Sequence, residues 1–439
     1  MKVMKFGGTS VGTPARMKEV ASLITQSGDP TFVVLSAMSG TTNTLVEISA
    51  YLYKKNIEGA NELINGLERK YATHIDELFT SDAVKAKMRN FFAEKFAYLR
   101  SFTTDLFTSF EEKHILAQGE MLSTHMMTEY LKENNIQAIL LPALSFMRTD
   151  KNAEPNLKYI KEHLQNIMAE NAGYQVYITQ GFVCRNAYGE VDNLQRGGSD
   201  YTASLIGAAI QSEEVQIWTD IDGMHNNDPR IVEKTEAVRQ LSFEEASELA
   251  YFGAKILHPT CIQPTKYAGI PVRLKNTMEP DAPGTIINNQ LVPQKIKAIA
   301  AKDNIVAIKV KSSRMLGSAG FLRKVFEIFE SYETPTDLIA TSEVGVSITI
   351  EKNAHVDDII SELKKYGTVS VDDNMCIICV VGDLDAKNLE LKPLATSSLQ
   401  NIPVRMISYG GSNYNISFLI HSDDKKTALQ SLQSALFGA

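Results

Sequence analysis

The chain has 439 residues, 44% hydrophobic and 22% charged, with a formal net charge of -8. Such a composition is that of a globular protein of about three domains, and an acidic balance without long Lys/Arg runs argues against a nucleic-acid partner. No stretch approaches the roughly eighteen apolar residues of a membrane span and no apolar leader precedes the first glycines, so a soluble, cytoplasmic protein without a membrane partner is expected.

Residues 1–45 read as strand, glycine turn, helix, strand: KVMKF, PARMKEVASLI and TFVVLSA. From about Leu45 to Asn134 apolar residues recur at helical spacing. Short strands return with QAILLPA, YQVYITQGFV, VQIWTDI and IPVRLK, separated by helical stretches of which YTASLIGAAIQ and SFEEASELAYFG are the clearest. This alternation predicts a mostly parallel sheet covered by helices.

After residues 279–285 the pattern changes. Strand, helix, two strands, helix and strand follow one another from 305 to about 374, and a second pass of the same βαββαβ order runs to the end but lacks one strand. KIKAIAAK, just ahead of the first pass, supplies the missing strand if the first unit is inserted within the second. Cys376 and Cys379 lie in an apolar strand-like run and would face opposite sides of a sheet, which fits buried thiols better than a metal or redox pair.

Several motifs carry chemistry. MKFGGTSVG, residues 4–12, is a strand running into two glycines, where backbone amides can hold phosphoryl oxygens with Lys5 as a compact positive charge. Thr13 and Pro14 stand where a G-x-x-x-x-G-K-[ST] loop needs Lys and Ser/Thr, so that loop is excluded. LQRGGSDYTASLIGAAI, residues 194–210, is a second Gly-Gly turn entering a helix, with Arg196 suited to a carboxylate and Ser199 and Asp200 at the helix start. Ser36 and Thr42 follow a strand in VVLSAMSGTTN; Glu120 sits beside a glycine in LAQGEMLS; Phe182 follows a strand in QGFVCRN. Together these offer a cation-binding carboxylate, an anion-binding guanidinium and hydroxyl donors, which is what a small amino acid requires. Thr219 and Asp220 end a strand, Asp228-Pro229-Arg230 closes the next loop, and Lys255 in GAKILHP is a further phosphate-directed charge. The eight histidines show no zinc-ligand spacing, and no metal-binding residues are expected.

In this order and spacing MKFGGTSVG, VVLSAMSGTTN, QGE, QGF, RGGSD, TDIDG…DPR and GAKILHP resemble the aspartate kinases of the amino acid kinase family. The tail, with GFLRKVFEIF and TDLIATSEVGVSITI, is similar to their paired ACT regulatory domains. The likeness is to the single-function, lysine-sensitive type. It implies the amino acid kinase fold in residues 1–293, a ferredoxin-like ACT domain in 305–374, and a second made of 294–304 with 375–439. It implies transfer of the γ-phosphoryl group of ATP to the side-chain carboxylate of L-aspartate, the first step toward lysine, threonine and methionine, with feedback inhibition by lysine.

The roles implied by the resemblance are specific. Lys5 neutralises charge on the transferring group and Asp200 orients the reacting groups; Gly7, Gly8 and Ser10 line the phosphate path. Ser36, Thr42, Glu120, Phe182, Arg196 and Ser199 hold aspartate, with Arg196 on its α-carboxylate and Glu120 on its ammonium. Thr219, Asp220, Asp228, Arg230 and Lys255 hold ATP, and Mg²⁺ rides mainly on the ATP phosphates. Met315, Ser318, Asp337, Thr341, Ser342 and Glu343 form the lysine site, and a homodimer or higher homo-oligomer forms through the ACT domains. His225 stands where tyrosine is expected in many relatives. The alternatives left open are a related kinase acting on another carboxylate or a nucleoside monophosphate, and a catalytically inactive amino-acid sensor.

Overall fold

The computed structural model describes every residue except 105, 195, 196, 254–256, 294, 386–389 and 439. The chain divides into two compact units: residues 1–224 with 257–289, and residues 225–256 with 290–439.

In the first unit the opening strand–helix–strand is β1 (Lys2–Phe6), α1 (Pro14–Thr25) and β2 (Thr31–Leu35). Thr13 caps α1 by accepting the Arg16 N–H, Pro14 pre-sets the first turn, and Met17, Val20, Ala21 and Ile24 bury one stripe. Four helices follow without a strand: α2 (Thr41–Tyr53), α3 (Ile57–Leu78), α4 (Asp82–Ser101) and α5 (Ser109–Glu133). Their buried faces recur every three or four residues, as in Ala60, Ile64, Leu67, Tyr71, Ile75 and Leu78 of α3. Asn56 and Ser81 cap α3 and α4, and Thr108 and Glu111 form a capping box on α5.

Next come β3 (Ala138–Leu140), α6 (Leu157–Glu170), β4 (Val176–Gln180), the hairpin β5 (Val183–Arg185) and β6 (Val191–Asn193), α7 (Gly198–Ile210) and β7 (Val215–Thr219). The chain leaves for the second unit, where it forms β8 (Gln240–Ser242) and α8 (Phe243–Tyr251), and returns as α9 (Gln263–Ala268), β9 (Val272–Asn276) and β10 (Thr285–Asn288). In the first unit the sheet runs β3-β4-β2-β1-β7-β9-β10, parallel from β3 to β9, with β10 antiparallel at β9. The mostly parallel, helix-covered sheet expected from the alternation is therefore present. β2 and β4 are buried at every position, as strands covered on both faces must be. Helix α7 is built of small residues because it lies close to the sheet: a Cβ on Gly207 would sit 2.4 Å from Val215 Cγ2.

The second unit contains an antiparallel six-stranded sheet in the order β12-β13-β11-β14-β16-β15. Its strands are β11 (Ile296–Lys311), β12 (Thr336–Ser342), β13 (Gly345–Glu351), β14 (Thr368–Gly382), β15 (Met406–Ser408) and β16 (Asn415–His421), and its helices α10 (Phe321–Ser331), α11 (Val356–Leu363), α12 (Leu391–Ser397) and α13 (Lys425–Phe437). The sequence reads KIKAIAAK and IVAIKVK as separate strands, and likewise TVSVDD and CIICVVGD; each pair is one long strand here. The first half of β11 pairs with the second half of β14, and its second half pairs with β13 and the first half of β14. The register shifts between Lys302 and Ile305, and Asn304 and Asn374 adopt left-handed φ values of 64° and 56° at this junction.

Two cores flank the junction. One gathers Val306, Ile308, Phe321, Val325, Ile348 and Ile359; the other gathers Ile299, Cys376, Ile378, Phe418 and Leu432. All four cysteines are buried free thiols, and burial pushes the Cys376 thiol up to about 12. Among the described residues no helix is long and apolar enough to cross a membrane.

Candidate active site

The site lies at the carboxyl ends of the central parallel strands, where ligands bind in open α/β sheets. As β1 ends, the Gly7 amide donates to the Trp218 carbonyl of β7 at 3.1 Å, and the chain turns beneath the loop that follows β2. That loop comes close: Ser39 donates its amide to the Gly8 carbonyl at 3.1 Å, and a Cβ on Gly8 would lie 2.8 Å from the Ala37 carbonyl. Helix α5 also approaches, since a Cβ on Gly119 would lie 2.7 Å from that of Ala37. This contact places Glu120 under the loop.

Lys5 and Asp200 meet with Nζ 2.7 Å from Oδ1, and their side chains are only 12% and 13% exposed. Asp200 is in the first turn of α7, whose entry residue Gly197 has a φ of 71°. Three close approaches fix this corner. A Cβ on Gly197 would meet Cys261 Sγ at 2.6 Å, one on Gly198 would meet Phe182 Cδ2 at 2.7 Å, and one on Gly181 would meet Ser199 Oγ at 2.4 Å. Phe182 holds a left-handed φ of 66°, costly for a bulky residue, because its amide donates to Thr202 Oγ1 at 3.1 Å and its carbonyl accepts the Leu194 amide at 2.7 Å.

These elements enclose a cavity of about 230 Å³ lined by Lys5, Ser36, Thr42, Glu120, Phe182, Gly197, Gly198, Ser199 and Asp200. Its size is below the roughly 300–1,000 Å³ of drug-sized ligand sites, which suits a small molecule. Glu120 is 4% exposed. Its Oε1 accepts the Ala37 amide at 3.2 Å, while Oε2 is buried with no hydrogen-bond partner. Burial pushes the carboxyl up to about 8, opposed by the Ala37 amide and by Lys5. An unpartnered buried carboxyl oxygen beside a Lys–Asp pair is arranged to receive a ligand cation.

Seven residues expected at the site, namely Lys5, Ser36, Thr42, Glu120, Phe182, Ser199 and Asp200, thus come together around one cavity. Gly7 and Gly8 form the adjoining turn. Ser10 is fully buried and its hydroxyl is 2.7 Å from that of Thr277, so it supports the turn from behind. Thr219 and Asp220 lie at the end of β7, with the Thr219 hydroxyl 3.0 Å from Asp220 Oδ1. Asp228 and Arg230 belong to the second unit and pair with each other, Nε to Oδ1 at 2.9 Å and Nη2 to Oδ2 at 2.7 Å. His225, also there, has Nδ1 2.9 Å from the Thr235 hydroxyl. Arg196 and Lys255 lie outside the described residues.

Two supports on α3 carry no signal in the amino-acid pattern. Lys70 donates to the Ser39 carbonyl at 2.8 Å, and the buried Tyr71 hydroxyl lies 3.0 Å from that of Thr41. Together they brace the loop that carries Ser36 and the first turn of α2, which carries Thr42.

In the second unit a cavity of about 280 Å³ is lined by Met315, Leu316, Gly317, Ser318, Gly320, Phe321, Leu322, Ser342 and Glu343. Four of the six residues expected for an effector are here. Thr341 is not among the lining residues, and Asp337 is engaged elsewhere: its carboxylate is 2% exposed and lies 2.5 Å from Lys302 Nζ.

Comparison with known proteins agrees with this geometry. Residues 1–276 match the amino acid kinase family and residues 378–436 match an ACT domain. The lysine-sensitive aspartokinase 3 of Escherichia coli is 31% identical over 99% of both chains. Two solved structures of E. coli aspartokinase III superpose over the whole of this chain. One, in complex with aspartate and ADP in the R-state, has a TM-score of 0.84 at 30% identity and is covered completely. The other, in complex with lysine and aspartate in the T-state, has a TM-score of 0.80 at 31% identity and is 99% covered. With a family model spanning more than half of its length and a relative matched end to end, this chain belongs to the aspartokinases of the amino acid kinase family.

Proposed function

We propose that this chain transfers the γ-phosphoryl group of ATP to the side-chain carboxylate of L-aspartate, giving 4-phospho-L-aspartate and ADP, the first step toward lysine, threonine and methionine. The observation that carries the reading is the cavity itself, which sets the Lys5–Asp200 pair against a buried carboxyl with a free oxygen. Glu120 takes the substrate ammonium and Arg196 its α-carboxylate, while Ser36, Thr42, Phe182 and Ser199 shape the rest of the pocket. The nucleophile is a carboxylate already ionised at neutral pH, so the reaction needs no general base. One of its oxygens bonds to the γ-phosphorus as the bond to the β,γ-bridging oxygen breaks, and the electron pair leaves on ADP.

The task left to the protein is bringing two anions together. Lys5, held by Asp200 at the Gly7–Gly8 turn, offsets charge on the transferring group. Thr219, Asp220, Asp228, Arg230 and Lys255 serve the nucleotide. Mg²⁺ carried by the ATP phosphates would supply further charge neutralisation on the transferring group; among the described residues no three His, Cys, Asp or Glu side chains gather to hold a metal.

Residues 1–293 form the catalytic domain, 305–374 the first ACT domain, and 294–304 with 375–439 the second; the pairing of the two halves of β11 with different partners supports this division. Lysine inhibits by occupying the cavity at the start of α10, with Glu343 on its side-chain ammonium and Ser318 with neighbouring amides on its α-carboxylate. The protein works in the cytoplasm as a homodimer or larger homo-oligomer assembled through exposed ACT sheet edges.

The test is ATP turnover with hydroxylamine trapping of the acyl phosphate, run with L-aspartate, L-glutamate and N-acetyl-L-glutamate. A hydroxamate formed only with aspartate is expected. Turnover on another carboxylate, or none with any, rejects the proposal.

A further inference from the structure

Residues 225–237 form a loop closed on itself within the second unit. His225 bridges Ala237 in antiparallel register, the Asn226 amide donates to the Glu236 carbonyl at 2.9 Å, and the Glu236 amide donates back to Asn226 Oδ1 at 2.9 Å. Inside the loop the amides of Ile231 and Val232 both donate to the Asp228 carbonyl at 3.0 Å. These bonds fix the shape of the loop and leave its seat to other contacts. The loop carries Asp228 and Arg230, the two residues of the second unit directed at the nucleotide.

The seat is helix α13. Asn227, only 3% exposed, donates from Nδ2 to the Leu429 carbonyl at 3.2 Å and to Gln433 Oε1 at 3.1 Å. Leu429 and Gln433 stand one turn apart on one face of α13. Gln433, equally buried, donates from Nε2 to the Lys234 carbonyl at 2.9 Å, so it grips the loop on both sides of Arg230. Val232 joins the core that holds Leu429 and Leu432, and the Ile299 amide of β11 donates to the Asn226 carbonyl at 2.9 Å. A purely structural seat would end there. Asn227 instead reaches on, because its Oδ1 accepts the Asp228 amide at 2.9 Å, and the Asp228 carboxylate in turn accepts both hydrogen bonds from the Arg230 guanidinium. An unbroken hydrogen-bonded chain therefore runs from α13 through Asn227 and Asp228 to Arg230.

We infer that Gln433 and Asn227 are positioning residues for the nucleotide: through them α13 aims the Arg230 guanidinium before ATP arrives. The Arg230 side chain is 83% exposed and has little packing of its own, so Asp228 is what holds its planar fork. Asn227 uses its amide nitrogen for two acceptors and its oxygen for one donor, and a buried amide pair satisfied in this way specifies one arrangement. A guanidinium ordered in advance lowers the ordering cost of binding its anion. The last helix of the second ACT repeat thus serves ATP binding in the free enzyme, with or without an effector. The inference rests on the nucleotide reading of Asp228 and Arg230.

The test uses the full chain as Gln433→Met, Arg230→Ala, the two combined, and Leu432→Val, which thins the same core without removing a hydrogen bond. Asn227→Ser, too short to reach α13, stands in for Gln433→Met if that variant does not fold. ADP binding is measured by calorimetry, and the KM values for ATP and L-aspartate by turnover. Gln433→Met is expected to weaken ADP binding and raise the ATP KM by about fivefold, the scale of one hydrogen bond, with the aspartate KM within about twofold of the parent. Because the seat acts through the guanidinium, adding Gln433→Met to Arg230→Ala should weaken ADP binding no further. Leu432→Val should leave both substrates at parental values. Parental ADP affinity in Gln433→Met, or effects that add in the double variant, overturn the inference while Arg230 remains a nucleotide residue. Equal losses for both substrates, or the same loss in Leu432→Val, reduce Gln433 to packing and also overturn it. If Arg230→Ala binds ADP as the parent does, the nucleotide reading has failed and the inference with it.

Discussion

Glu120 offers the sharpest test of the substrate pocket. Burial pushes its carboxyl up to about 8, so at pH 7 about nine in ten free molecules carry a proton there. Binding an ammonium requires the carboxylate, so that proton must leave. The cost at pH 7 is about 1.4 kcal/mol, or about tenfold in apparent affinity, and it grows tenfold for each further unit of acid. The KM for L-aspartate, measured by ADP release between pH 6 and 8.5, is therefore expected to fall about tenfold per unit up to pH 8 and then level. Calorimetry at pH 7 in buffers of different ionisation enthalpy should show about 0.9 proton released per aspartate bound. Glu120→Gln keeps the shape but removes the charge, and should raise the aspartate KM by about 30-fold or more, since truncating one member of a buried charge pair costs about 2–5 kcal/mol. The same raised value acts on stability with a definite sign. The folded chain keeps a proton that the unfolded chain releases near 4.5, so between about pH 4.5 and 8 this group makes stability fall as pH rises. Glu120→Gln should melt above the parent at pH 8.5 and level with it near pH 4.5. A flat KM profile with no proton release refutes the assignment of Glu120 to the ammonium.

Lys5→Met should lower kcat by about 10²–10³, the usual loss when a preorganised charge on the transition state is removed, and also lower stability by leaving Asp200 without its cation; a kcat within a few-fold of the parent rejects its role. Gly181→Ala should raise the aspartate KM at least about tenfold, because the new Cβ would fall 2.4 Å from Ser199 Oγ and 2.9 Å from its Cα, so the backbone must shift; an unchanged KM means that Ser199 does not touch substrate. Tyr71→Phe leaves the buried Thr41 hydroxyl unpaired and should cost about 1–3 kcal/mol in urea denaturation, with a raised aspartate KM from the loosened start of α2 that carries Thr42. Wild-type stability would mean that the Tyr71–Thr41 contact carries no weight.

Much of the fold was legible because its signals are local. The turn at Gly7–Gly8, the cap at Thr13 with Pro14 behind it, and the apolar spacing of residues 60–78 each announce an element within a few residues. What the pattern did not reveal is where a strand stops. Apolar alternation breaks at residues 302–304 and again near 373–374, and a break reads as two strands. In the structure Asn304 and Asn374 absorb each break in a left-handed conformation, and one strand serves both repeats. The site was legible for the same reason: glycines and charges clustered at strand ends mark close approach. Lys70 and Tyr71 carry no such mark, being ordinary residues of an amphipathic helix until the loop folds onto them.

Asp337 shows where reading charges from sequence reaches its limit. A carboxylate on a strand five residues before Ser342 has the right chemistry for a cationic effector, and only the partner it finds in three dimensions decides its use. Lys302 lies 35 residues away in sequence and takes it. Glu343, by contrast, lines the cavity. The distinction is energetic as well as geometric. A carboxylate already paired and buried gains little from a second cation, whereas an exposed one at a cavity wall exchanges water for the ligand. Glu343→Gln should weaken lysine binding at least about tenfold in calorimetry, as expected when one partner of a charge pair is removed. Lysine affinity unchanged in this variant would mean that Glu343 does not touch the effector.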